Sequence, residues 1–236
     1  MTLFLSRIRL SRAPSAQALA GLLMPQESGK RLSAHHNLLW ATFSDGPDRC
    51  RDFLWREERN GEFLALSARP PNPIDLFEPH QVKEFAPALK VGAKLDFSLR
   101  ANATRTKSTG DNRKNRPKNA QRGQRHDVVM DALYQLPPGQ RAEARSAVAS
   151  REGFAWLARQ GEANGFRVLQ KRDCDYTVEA LPGCRRPRKG QPQFGILDMT
   201  GQIEIVDPTK FLEQLPKGFG RAKGFGCGLM LIRRPT

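Results

Sequence analysis

The chain of 236 residues has few cysteines, and no two of them form a C-x-x-C pair. Cys50, Cys174, Cys184 and Cys227 are scattered along the sequence, which favours neither a zinc knuckle nor a disulfide framework. No H-E-x-x-H motif is present either, and two adjacent histidines on a helix point about 100° apart. We therefore expect reduced, structural thiols and neither a metal nor another cofactor.

Long apolar segments are missing as well. No stretch approaches the roughly 18 uninterrupted apolar residues that a membrane-spanning helix needs. The first twelve residues include Arg7, Arg9 and Arg12 and lack the hydrophobic core of a signal peptide. The sequence therefore predicts a cytoplasmic protein that does not enter a membrane.

Acidic residues are outnumbered, with 24 Asp and Glu against 39 Lys and Arg and a formal net charge of +15. Such an excess repels itself unless a polyanion or solvent neutralises it, and nucleic acid is the partner that we expect. The basic residues concentrate in three tracts, at residues 105–125, 185–189 and 217–223. One such tract alone would indicate a solvated face. The first has no large apolar side chain and is predicted to be a flexible linker or long loop.

Apolar periodicity predicts strands and helices in mixed order, which is typical of an α+β fold. Strands are expected at residues 2–10, 53–56, 62–67, 94–101, 165–177, 194–206 and 229–233, and helices at residues 14–24, 33–44, 128–136, 147–160 and 208–215. Ser33 is expected to be the N-cap of the second helix, which would place His35 and His36 in its first turn. Residues 26–32 are expected to form a loop.

The most distinctive segment is Gly218-Phe-Gly-Arg-Ala-Lys-Gly-Phe-Gly-Cys-Gly228, with five glycines in eleven residues. It is not a P-loop, because no Gly-Lys is followed by Ser or Thr, and it lacks G-x-G-x-x-G, because Lys223 replaces the third glycine. Glycine lets backbone N–H groups approach a phosphate, and Arg221 and Lys223 add positive charge. The alternative is a tight, strained turn anchored by Phe219 and Phe225.

The adjacent histidines His35 and His36 are candidates for acid–base chemistry. A neutral imidazole with a pKa near about 6.5 can take a proton from a ribose 2′-hydroxyl or give one to a leaving 5′-oxygen. RNA carries its own nucleophile, so this kind of cleavage needs no metal ion. A histidine pair is not a diagnostic motif, however, and one or both could instead be surface or capping residues.

Several segments together resemble the CasE family, the endoribonucleases that process repeat RNA in type I-E CRISPR systems. The resemblance spans most of the chain and covers residues 107–125 only loosely. It rests on the opening strand at residues 3–10, on His36-Asn-Leu-Leu-Trp40, on residues 97–105 with Arg100-Ala-Asn102, on Ala155-Trp-Leu157, and above all on the glycine-rich segment with Lys223 and Gly226-Cys-Gly228.

The resemblance implies two tandem ferredoxin-like (RRM-like) domains and cleavage of CRISPR precursor RNA at the base of each repeat hairpin. The family leaves a 5′-hydroxyl and a 2′,3′-cyclic phosphate without a metal, stays bound to the crRNA, and joins other subunits in the Cascade complex. Its catalytic histidine corresponds to His36, whereas His35 falls at a position without a family role. Members often carry a tyrosine where this chain has Ser33, so tyrosine-assisted proton transfer must be absent or supplied by another group.

These inferences predict an N-terminal domain with the catalytic histidine at residues 1–104, a basic linker or loop at 105–127, and a C-terminal domain with the glycine-rich segment at 128–236. Arg105 falls where the family has a basic residue. The predicted RNA-binding residues come from residues 100–107, the basic tracts and the glycine-rich segment: Arg100, Asn102, Arg105, Lys107, Arg113, Lys114, Arg116, Lys118, Arg185, Arg186, Arg188, Lys217, Gly218, Gly220, Arg221, Lys223 and Gly224.

Two other functions remain open. A non-catalytic RNA-binding subunit of a ribonucleoprotein would share the charge and the glycine-rich segment, and the serine at position 33 supports this alternative. A double-stranded DNA-binding protein is less favoured, because the sequence has no recognition-helix signature.

Overall fold

A computed structural model describes residues 2–46, 49–59, 61–107, 124–180 and 193–235. The described elements form two four-stranded sheets and one two-stranded sheet, and every strand pair is antiparallel. In these parts of the chain, no helix combines the length and the apolar character that crossing a membrane requires.

The first sheet is built from the N-terminal part of the chain. Its elements are β1 (Phe4–Arg9), α1 (Pro14–Ala18), α2 (Ala20–Leu23), α3 (Ser28–Phe43), β2 (Phe53–Arg59), β3 (Glu62–Ser67) and β4 (Gln81–Glu84). The strand order is β2-β3-β1-β4. Alternate side chains of a strand point to one face, and α3 covers the apolar face here: Leu39 and Phe43 are buried with Ile8 and Phe63 in one core.

The second sheet has the same kind of strand order. Its helices follow both the first and the third of its strands along the chain, whereas those of the first sheet follow only β1. It contains β5 (Lys94–Ala101), α4 (Val128–Leu133), α5 (Arg141–Asn164), β8 (Phe166–Ala180), β9 (Gln193–Ile205), α6 (Pro208–Gln214) and β10 (Met230–Arg233), with strand order β10-β5-β9-β8. This is the β-α-β-β-α-β arrangement of a ferredoxin-like unit. The predicted α+β class with two tandem ferredoxin-like domains is confirmed.

A third apolar cluster joins the two sheets. Leu54 and Leu66, from β2 and β3, are buried together with Leu229, which directly precedes β10. Because this contact holds the C-terminal segment against β2, it fixes residues 218–228 next to the first sheet.

Two short strands, β6 (Thr104–Lys107) and β7 (Gln124–Asp127), pair with each other outside the large sheets. They are the two ends of the predicted basic linker or loop, and neither was predicted as a strand. Residues 108–123 between them lie outside the described residues. The ends of this tract are therefore held side by side.

Helix α3 begins at Ser28, so the predicted loop at residues 26–32 and the predicted N-cap at Ser33 are wrong. The residue before the helix, Glu27, makes no side-chain capping bond. A tertiary contact accompanies the early start, because a methyl group at Gly29 would lie 3.4 Å from the carbonyl oxygen of Ala180. His35 and His36 consequently lie in the middle of the helix and not in its first turn.

Strand β5 lies in a different sheet from the one expected. The predicted division at residue 104 assigned residues 94–101 to the N-terminal domain, but this strand pairs with β9 and β10 of the second sheet. Its partners are more than 90 residues away in sequence, and local patterns do not reveal such pairing. The division into domains at residues 104 and 127 stays a prediction.

Candidate active site

His36 lies on α3 and faces residues 218–228, which we call the glycine-rich loop. A methyl group added at Gly224 would lie 3.6 Å from Cε1 and 3.7 Å from Nδ1 of His36. The half-buried imidazole has Phe225 and Trp40 as ring neighbours, with centroid separations of 6.4 Å and 6.1 Å. The structure thus brings the predicted histidine and the predicted phosphate-binding segment together.

The glycine-rich loop is closed on itself and tied to the end of β5. The N–H of Phe219 donates to the carbonyl of Gly228 at 2.9 Å. The N–H of Gly228 donates to the carbonyl of Arg100 at 2.7 Å, and the N–H of Arg221 to that of Asn102 at 3.0 Å. The Arg100-Ala-Asn102 segment therefore positions the loop through its backbone.

The glycines of the loop serve two purposes. Gly218, Gly220, Gly226 and Gly228 have positive φ, which a side chain disfavours. At Gly220 a methyl group would also come within 2.7 Å of the carbonyl oxygen of Asn102. These four residues form the tight turn that the sequence offered as an alternative. Gly224 has no such constraint and lies at the imidazole.

Arg51 completes the site, and the sequence did not predict it. A methyl group at Gly224 would lie 3.4 Å from Nη1 of Arg51. The same methyl group would contact the imidazole of His36. The space above Gly224 is therefore bordered by an imidazole and a guanidinium. Arg51 precedes β2 in a polar stretch of the sequence, and no local pattern distinguishes it from other surface arginines.

Positive charge accumulates at this point. The pKa of Lys223 is lowered by burial and then by the charges of Arg51 and Arg221. Burial also lowers the pKa of Arg51. In the part of the chain that the structure describes, no carboxylate forms an ion pair with Arg51, Arg221 or Lys223. Unpaired cations that repel one another form a ready site for a phosphate.

The pKa of His36 is also lowered. Burial is the main cause and the charge of Arg51 adds to it, while the backbone of Gly224 acts in the opposite direction. The imidazole is therefore neutral near pH 7 and can accept a proton.

Other predicted RNA-binding residues are engaged within the protein. Arg100 donates from Nε and Nη2 to Asp198 at 2.9 Å each, and Asn102 Nδ2 donates to the carbonyl of Gly195 at 2.7 Å. Asp131 accepts from Lys107 at 2.6 Å and from Arg105. The RNA-binding role of these four residues stays a prediction, but binding through their side chains has to compete with these contacts.

The remaining predicted residues fall into two groups. Lys217 is exposed just before the glycine-rich loop, and the ammonium of Lys223 donates to its carbonyl. The others lie in the basic tracts outside the described residues: Arg113, Lys114, Arg116, Lys118, Arg185, Arg186 and Arg188.

His35 has a different environment from its neighbour. Its side chain is fully buried, edge-on to Phe63 at a centroid distance of 4.9 Å, with Nε2 at 3.1 Å from Sδ of Met24. Burial, with a contribution from Arg31, lowers its pKa to about 4. The alternative of a surface or capping residue is therefore wrong for His35, which is a neutral core residue.

The two tyrosines of the chain have other partners. Tyr176 donates to Asp127 Oδ1 at 3.0 Å, and Tyr134 has a cation–π contact with Arg141. The charged side chain beside His36 is Arg51 instead. Among the described residues, no group of three or more His, Cys, Asp or Glu side chains is arranged to hold a metal ion.

The chain is similar to known proteins over most of its length. The chain matches the model of a family described as CRISPR associated protein over residues 3–234. It is 25% identical over 219 residues to the CRISPR system Cascade subunit CasE of Escherichia coli, covering 91% of this chain and 98% of the relative. It is 28% identical over 159 residues to the CRISPR-associated endoribonuclease Cse3 of Thermus thermophilus, covering 64% of this chain and 60% of the relative.

Solved structures share the fold. The CRISPR endoribonuclease Cse3 bound to a 19 nt RNA has a TM-score of 0.67 at 22% identity, with full coverage of both chains. The CRISPR-associated protein Cas6e from Escherichia coli has a TM-score of 0.61 at 22% identity, covering 98% of this chain and 100% of the other.

Proposed function

Because the chain belongs to the family of CRISPR-associated proteins, whose model it matches over residues 3–234, we propose that it cleaves CRISPR precursor RNA at the base of the repeat hairpin. It then stays bound to the crRNA as a subunit of a Cascade complex in the cytoplasm. The observation that carries the proposal is the placement of a neutral imidazole, His36, against the glycine-rich loop between Arg51 and Lys223.

The reaction begins at the ribose 2′-hydroxyl next to the scissile phosphate. His36 accepts the proton of this hydroxyl, donates a proton to the leaving 5′-oxygen, or does both in turn. The 2′-oxygen forms a bond to phosphorus while the bond to the 5′-oxygen breaks. The products are a 2′,3′-cyclic phosphate and a 5′-hydroxyl, and no water or metal ion enters this step.

Arg51 and Lys223 stabilise the negative charge that develops on the phosphate during the reaction. Negative charge on the non-bridging oxygens grows as the phosphorus becomes five-coordinate, and preformed cations stabilise that charge more than the ground state. Because neither side chain has a carboxylate partner among the described residues, their charge is available to RNA. The cations and the backbone of the loop also hold the phosphate in line with the 2′-oxygen.

The relatives support the partners as well as the reaction. Cse3 has been captured with an RNA that represents a pre-cleavage complex, and CasE is named as a Cascade subunit. The basic tracts fit the same proposal, since each phosphate contact adds affinity that falls with salt.

The proposed activity is tested by incubating the purified protein with its repeat hairpin RNA in excess EDTA. We expect one discrete cut, with a 2′,3′-cyclic phosphate on the upstream fragment identified by mass spectrometry, at a rate equal to that with Mg²⁺. Tight binding without cleavage in either buffer would indicate the alternative, a non-catalytic RNA-binding subunit, which the serine at position 33 supports. Cleavage that stops in EDTA would indicate metal-assisted hydrolysis.

Replacing Arg51 with alanine is expected to slow single-turnover cleavage by on the order of 10- to 100-fold, because Lys223 retains part of the charge stabilisation. Arg59→Ala is the matched control. Arg59 lies at the opposite end of β2, is exposed and carries the same charge, so its loss leaves the site unchanged. Equal rates for the two variants would remove Arg51 from the site.

A further inference from the structure

A groove of about 760 Å³ opens beside the candidate active site, between the first sheet and α6. Its cationic wall includes Arg51 and Lys223, and Lys217 extends that wall. Arg51 lines this groove and also borders the space above Gly224, where the imidazole of His36 lies. The groove and the candidate active site therefore share one wall.

The rest of the lining is mainly apolar. Leu3 and Leu54 come from the side of the first sheet, and Leu212 and Pro216 come from α6 and the residues after it. An apolar wall does not favour a phosphate or a ribose, but it does favour the face of a nucleobase. The volume lies in the range of small-molecule pockets and exceeds what one base needs.

The acidic residues of the groove are also compatible with a bound nucleobase. Asp52 is already paired with Arg49 at 2.8 Å and Arg69 at 3.1 Å, so it does not cancel the charge of Arg51. Glu213 is exposed and has no ion pair within the described residues. Its carboxylate repels a second phosphate and can accept a hydrogen bond from the amino group of a base.

We propose that this groove binds the base of the unpaired nucleotide next to the scissile phosphate. The inference rests on the proposed function, in which the cut lies at the base of a hairpin and one neighbour of the phosphate is therefore unpaired. Bases stacked inside a duplex cannot enter such a groove, whereas single-stranded bases can be turned out of the stack. The groove thus aligns the phosphate by holding the nucleotide beside it.

The test measures RNA affinity in proteins that carry His36→Ala, so that cleavage does not interfere with the measurement of binding in the groove. Hairpin RNAs carry either the natural base or an abasic site at the unpaired flanking nucleotide, and affinity is read by fluorescence anisotropy. Thr209→Trp places a large side chain in the groove from an exposed position on α6. Val206→Trp is the control, because Val206 is 52% exposed, does not line the groove and carries no charge.

We expect the abasic site to weaken binding about tenfold in the His36→Ala protein and in its Val206→Trp derivative, since a bound base contributes on that order. In the Thr209→Trp derivative the two RNAs are expected to bind equally. 2-Aminopurine placed at the same nucleotide should change its fluorescence when the RNA binds to the His36→Ala protein or to its Val206→Trp derivative. No such change is expected with the Thr209→Trp derivative.

Equal binding of the two RNAs by the His36→Ala protein would overturn the proposal. A tenfold difference that persists in Thr209→Trp would overturn it as well, by placing the base elsewhere. Cleavage by the protein with His36 intact is measured separately, so a failure of the proposed nuclease activity is distinguishable from a failure of the groove.

Discussion

Alanine in place of His36 is expected to lower the single-turnover rate of RNA cleavage by about 10²- to 10⁴-fold, the usual contribution of a positioned acid or base. Affinity for the repeat hairpin should change little, because the cations and the glycine-rich loop provide the phosphate contacts. The helix should remain in place, since the buried residues His35, Leu39 and Phe43 still pack α3 against the first sheet.

The matched control for this substitution is His80→Ala. His80 precedes β4, far in sequence from the loop, and its Nε2 lies 3.1 Å from the carbonyl of Asn72. We expect this variant to cleave at the rate of the unchanged protein. A His36→Ala protein that binds and cuts as fast as His80→Ala would reject His36 as the catalytic group.

The contrast between His35 and His36 follows from helix geometry. Adjacent residues on a helix point about 100° apart, so one ring enters the core while the other emerges at the loop. The family resemblance selected His36, and the buried position of His35 explains why its neighbour has no equivalent role. The sequence pattern alone did not distinguish them, because both had been placed in the first turn of a shorter helix.

The glycine-rich loop could be predicted because its signal is local. Five glycines and two cations within eleven residues indicate an unusual backbone wherever the segment lies. Most strands and helices were predicted for the same reason, since their apolar spacing is visible within each segment. The place of β5 in the second sheet was not, because strand pairing over such a separation has no local signature.

Arg51 is a site residue that the sequence alone does not reveal. It is one of 39 Lys and Arg residues, and only the fold reveals that it meets Gly224 from more than 170 positions away. The reverse holds for Arg100, whose motif is distinctive but whose guanidinium is bound to Asp198. Charge counts and motifs therefore predict polyanion binding, while contacts in the fold determine which cations are free to take part.

The second large effect concerns the substrate. RNA in which the nucleotide before the scissile phosphate carries a single 2′-deoxy substitution lacks the nucleophile, so cleavage at that phosphate should stop altogether. Binding should be preserved, because the cations contact phosphates, which this substitution leaves intact. A 2′-deoxy substitution one nucleotide further upstream is the control and should be cut at nearly the normal rate.

The central claim is that this 2′-oxygen attacks the phosphate while His36 moves the protons. It is tested most directly by a single-turnover time course in EDTA with the two substituted RNAs side by side. The account predicts no product from the RNA modified at the scissile nucleotide and normal product from the control. Cleavage of both RNAs at similar rates would contradict it, because the attacking oxygen would then have to come from water.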